Sequence, residues 1–111
     1  MLDFGRRSDG DRDPTDRARL EADWLTITRQ TLPALAETQA WPVSANHCFM
    51  RILLDAVHEG RWDRFVEGRP AYKHIELERL RAAIKLAERV VANEADLPAL
   101  NAQSLAWRGK G

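Results

Sequence analysis

The chain has one cysteine, Cys48, among 111 residues. One thiol makes no internal disulfide and no cysteine-based zinc site. Neither sign of charge is in excess: 17 Lys and Arg stand against 17 Asp and Glu. That balance excludes a histone-like polycation and a polyacidic partner-binding chain. No apolar run approaches the roughly 18 residues of a membrane span, and no charged-then-apolar leader opens the sequence. No alternation of β-branched residues marks a strand, and there is no internal repeat or low-complexity segment. Also absent are the phosphate-binding patterns G-x-x-x-x-G-K-[ST] and G-x-G-x-x-G, the G-x-S-x-G elbow and the H-E-x-x-H zinc motif. What remains, at 44% hydrophobic and 31% charged residues, is one small domain with an expected cytoplasmic location and no membrane partner.

Residues 1–14 read as a tail. They hold two glycines, three Arg and four Asp, and only Leu2 and Phe4 as large apolar groups after Met1. Such a segment buries too little surface to offset its ordering entropy and is expected to be disordered unless Leu2 and Phe4 dock. The domain proper is then 15–111. Thr15 is a candidate N-cap, with Asp16 in the first turn. Leu20, Trp24, Ile27, Thr31 and Leu35 follow on one helical face, and Pro33 ends or kinks that helix. Trp41-Pro42 is a turn.

Ser44 and Gly60 bracket a second helix over about 45–59. Its apolar residues cover most of the circumference, which makes it the central buried helix. A third helix runs over about 75–93, with Leu77, Leu80, Ile84, Ala87 and Val91 as its core face. Asp96 caps a last helix that carries Pro98 in its first turn. The fold class is therefore all-α, a compact bundle of four to five helices. The expected core is Leu20, Trp24, Ile27, Phe49, Ile52, Leu53, Ala56, Leu77, Leu80, Ile84, Leu100 and Leu105.

Polar residues on the central helix are few and ordered. His47, Arg51, Asp55 and His58 step by 4, 4 and 3 along one stripe. On a buried helix such groups are paired or line a cleft. Arg51 and Asp55, one turn apart, form either a structural ion pair or a ligand site, and His47 and His58 are the candidate general bases. His47 and His58 lie about 16 Å apart along the axis, too far to share a metal ion. No metal and no cofactor is expected. Cys48 falls on the apolar side, as an inert core residue.

The net charge is zero but the charge is segregated. Residues 60–74 carry Arg61, Arg64, Arg69 and Lys73 against Asp63 and Glu67, and residues 104–111 add Arg108 and Lys110. Brought together, these segments make a basic patch of about +4, rimmed by Trp62, Tyr72 and Trp107, with cations for phosphates and rings for stacking.

Trp41-Pro42-Val43, the run from His47 to Asp55, Pro70-Ala71-Tyr72-Lys73, Leu100-Asn101 and the run from Ser104 to Lys110 resemble a small uncharacterised family of bacterial and fungal proteins. The resemblance covers about residues 41–110. Some members are automatically labelled N-acetyltransferases, so the resemblance implies acyl transfer. The acetyl-CoA loop [RQ]-x-x-G-x-[GA] of that superfamily does not occur in the sequence.

The leading expectation is a small helical binding module for nucleic acid or another phosphorylated ligand. Its ligand-binding residues would be Arg51, Asp55, Arg61, Trp62, Arg64, Arg69, Tyr72, Lys73, Trp107, Arg108 and Lys110. Two alternatives stand beside it: an acyl-transfer enzyme with His47 or His58 as base, and an accessory subunit that docks a protein partner.

Overall fold

The first described helix spans Pro14–Thr26, and Thr15 lies inside it rather than capping it. The computed structural model describes residues 14–110 and, of these, the side chains from residue 16 onward. The expected tail otherwise lies outside the described residues. The elements are α1 (Pro14–Thr26), a π-helical turn (Ile27–Thr31), α2 (Leu32–Ala36), α3 (Asn46–His58), 3-10 turns at Trp62–Arg64 and Ala71–Lys73, α4 (Leu77–Val91) and α5 (Leu97–Trp107). The architecture is all-α, with no strand among the described residues. Among these residues, too, no helix is long and apolar enough to cross a membrane.

Pro33 does not end the first helix. The π turn admits an extra residue ahead of it, and the Leu32 N–H closes an i→i+5 bond to the Ile27 carbonyl. The chain then runs on through α2 with Pro33 in its first turn. Thr28, fully buried, donates its hydroxyl to the Trp24 carbonyl at 2.7 Å. Back-bonding of this kind bends a helix. Thr28→Val keeps the shape and removes that bond. It is expected to cost about 1 kcal/mol, read as a fall of roughly 4–8 °C in the melting temperature.

α3 occupies the centre, packed against the π turn, α2, α4, α5 and the first 3-10 turn. Phe49, Ile52 and Leu53 on it are fully buried. Both of its ends differ from expectation. Ala45 is the N-cap and makes no side-chain bond, so Ser44 stands outside the helix. At the other end Glu59, not Gly60, takes the left-handed conformation at φ 56°, and the Gly60 N–H returns to the Asp55 carbonyl at 3.2 Å. Asp96 does cap α5, accepting from the Ala99 N–H at 3.1 Å.

The core contains Trp24, Leu32, Phe49, Ile52, Leu53, Leu80, Ile84 and Leu97. Leu20, Ile27 and Leu100 pack at its edge, and Ala56, Leu77 and Leu105 are likewise half-buried. On α4 the buried stripe is Leu80, Ala83, Ile84, Ala87 and Val90, while Val91 is exposed. The step after Ala87 is therefore three residues rather than four. Two alanines at 83 and 87 let α4 approach its neighbours closely.

Candidate functional site

One carboxylate organises the interior of the site. Asp55 is 0% exposed. It accepts both fork donors of Arg108, Nε–H at 2.8 Å to Oδ2 and Nη2–H at 2.9 Å to Oδ1. It also accepts the Ser104 hydroxyl at 2.6 Å and the Trp62 backbone N–H at 2.9 Å. Bidentate pairing of this kind is the strongest geometry available to a carboxylate. It holds the Arg108 guanidinium above its already high pKa, chiefly through those hydrogen bonds.

The expected Arg51–Asp55 pair does not form. Arg51 donates instead to the Ser104 Oγ at 2.6 Å and the Asn101 Oδ1 at 2.8 Å, both on α5. The reason lies in helix geometry. Side chains lean toward the helix N-terminus, so an Arg placed one turn before an Asp points away from it, the poorer order for an i, i+4 pair. Ser104 spends its one proton on Asp55 and offers Arg51 only lone pairs. Arg51 thus has no carboxylate within ion-pair distance among the described residues.

Arg51 opens on a cleft of about 210 Å³. Its lining comes from α1 (Trp24), α3 (His47, Met50, Arg51, Leu54), the first 3-10 turn (Trp62) and the segment Arg69-Pro70-Ala71-Tyr72. Two guanidiniums and one imidazole line it, with no carboxylate. Arg69 lies over the Trp62 ring at 5.2 Å, a cation–π contact that holds it at the wall.

The structure therefore brings together five of the residues singled out in the sequence: His47, Arg51, Trp62, Arg69 and Tyr72. The others go elsewhere. The 60–74 segment and the C-terminal segment do meet, at Asp55, but their charges are largely compensated there. Arg108 is paired with Asp55, and neither lines the cleft. Arg61 donates to Asp63 at 3.0 and 3.3 Å and holds its carboxyl below the usual carboxylate range. Lys73 sits 3.5 Å from Glu21 and over the Tyr72 ring. Arg64 and Lys110 are exposed, Trp107 is half-buried, and none of the three lines the cleft. A continuous patch of about +4 is not what this arrangement makes.

The two candidate bases face different hollows. His47 lines the cleft. His58 is buried on the far end of α3, its Nδ1 2.8 Å from the Leu54 carbonyl and its ring stacked on Phe65 at 5.4 Å. It opens on a hollow shared with His74, Glu67 and Glu76. Among the described residues no three His, Cys, Asp or Glu side chains come together to hold a metal ion. A further hollow of about 440 Å³ is walled by Trp41, Glu94, Asp96 and Pro98, with no cationic side chain in its lining.

Asn101 and Ser104 were not anticipated as partners of the stripe on α3. The signal was present: Leu97, Asn101, Ser104 and Arg108 recur at 4, 3 and 4 on one face of α5, so polar groups stand where the helix buries itself. Comparison of the chain with models of protein families, with curated proteins and with solved structures finds no match.

Proposed function

We propose that this protein is a small helical binding module for a phosphorylated ligand, held in the cleft between α3 and residues 61–72. The observation that carries the reading is Arg51. A guanidinium has five N–H donors, and two of these go to Ser104 and Asn101. The remaining three have no protein acceptor among the described residues, and no carboxylate neutralises the head. Arg69 across the cleft supplies a second cation, also without an ion pair among the described residues. Fixed guanidiniums of this kind suit phosphate oxygens. Of the two phosphorylated classes considered, a small ligand is favoured over a nucleic acid, because Arg61, Lys73 and Arg108 are each occupied by a carboxylate. Neither acyl transfer nor a protein partner has an observation of its own at this cleft.

Inorganic phosphate titrated at low salt is expected to shift the Arg51 and Arg69 Nε–H and the Trp62 indole resonances in NMR spectra. Arg51→Met should weaken that binding by about ten- to a hundredfold, the range for a hydrogen bond to a charged group. Unmoved resonances at low salt would remove the reading. Binding seen only with labelled oligonucleotides, falling steeply with salt, would replace it with a nucleic-acid surface.

A further inference from the structure

The cleft is cationic at Arg51 and Arg69, and apart from His47 and Tyr72 the rest of its lining is apolar. Trp24, Leu54 and Ala71 are buried and line it, joined by the half-buried Met50 and by Pro70. This lining selects among phosphorylated ligands. The hydroxyls of a sugar phosphate would lie against carbon and lose their hydrogen bonds to water, which is costly. A flat hydrocarbon ring would gain from the same walls. Size selects further. An apolar cavity of about 150 Å³ takes one benzene ring. The 210 Å³ here then leaves about two water volumes for a head group, at roughly 30 Å³ each. That is enough for one anionic group.

We infer that the cleft is built for a compact aryl anion: a single aromatic ring against Trp24, Met50 and Leu54, with its anionic group on Arg51 and Arg69. This rests on the anion-binding reading of the same cleft and adds the body of the ligand to its head. One face of Trp62 already carries the Arg69 guanidinium. Arg69 is therefore held beside the ring pocket before any ligand arrives, and little side-chain freedom is lost on binding. Arg51 is fixed in the same way by Ser104 and Asn101.

The test is a calorimetric titration of the full chain with four probes: inorganic phosphate, ribose 5-phosphate, phenyl phosphate and benzoate. Phenyl phosphate should bind about ten- to a hundredfold more tightly than either inorganic phosphate or ribose 5-phosphate, the gain expected from burying one ring. Met50→Phe places a ring of the protein's own in the cleft. It should erase that gain, so that phenyl phosphate binds no more tightly than inorganic phosphate. Equal affinities for phenyl phosphate and inorganic phosphate would overturn the inference and leave the anion site standing. Tighter binding of ribose 5-phosphate would likewise overturn it in favour of a sugar phosphate. Benzoate binding while all three phosphates fail would keep the aryl anion and overturn the phosphate head. No binding by any of the four would overturn both readings.

Discussion

Asp55→Ala is expected to cost about 3–5 kcal/mol of stability, the range for breaking a buried ion pair by removing one partner. The melting temperature should fall by at least about 12 °C for a domain of this size. Three groups lose their acceptor at once: the Arg108 fork, the Ser104 hydroxyl and the Trp62 backbone N–H. The Arg108 side chain is only 17% exposed, so its charge is left with little water. Arg108→Met should cost at least as much, because the carboxylate it abandons is 0% exposed. The double variant Asp55→Leu with Arg108→Met should be more stable than either single one, since an apolar pair replaces a buried ionic pair at little net cost. Urea denaturation of the wild type, Asp55→Leu, Arg108→Met and that double variant closes the cycle and measures the coupling. Additive losses, or a loss under about 1 kcal/mol for Asp55→Ala, would mean that the network is incidental to stability.

That network also shows what the sequence could and could not display. The spacing of Arg51 and Asp55 on α3 was legible, and so was the fact that polar groups on so apolar a helix need partners. Which partners they take was not. The pairing with Arg108 spans 53 residues, and only the packing of α5 on α3 brings it about. Helix class was legible because propensity and periodicity agree along most of the chain. Helix ends were read less well. Ser44 and Thr15 have the chemistry of caps, but the chain enters α3 at Ala45 and Thr15 lies inside α1. The basic patch failed for a related reason. Charge counted along a segment takes no account of carboxylates delivered from elsewhere, and Asp55 and Glu21 are delivered from outside both segments. Arg69, Tyr72 and Trp62 line one cleft and are also near in sequence, so their grouping was legible. Trp24 and Met50 were missed as wall residues because an apolar side chain lining a cleft has the same periodicity as one in the core.

α3 assigns its functions by angle, and this yields the second large effect. Phe49, Ile52 and Leu53 face the core, while His47, Met50, Arg51 and Leu54 face the cleft. Phe49 is fully buried and meets Trp41 edge to face, with ring centroids 5.9 Å apart. Phe49→Ala should therefore cost about 3–5 kcal/mol, from lost transfer energy and the cavity left behind, and the aromatic pair adds to that loss. Trp41→Ala should cost less, because Trp41 is only half-buried. In guanidinium chloride the unfolding midpoint should drop for both with the slope unchanged. Phosphate affinity of the folded fraction should stay at the wild-type value in each. Arg51→Met should show the reverse pattern, with binding lost and stability reduced by only about 1–2 kcal/mol, the cost of leaving the buried Asn101 carbonyl without its donor. A Phe49→Ala protein that stays folded but no longer binds phosphate would show that core and cleft are not separable faces of α3. Equal losses from Phe49→Ala and Trp41→Ala would place the dominant packing at the Trp41 edge instead of on α3.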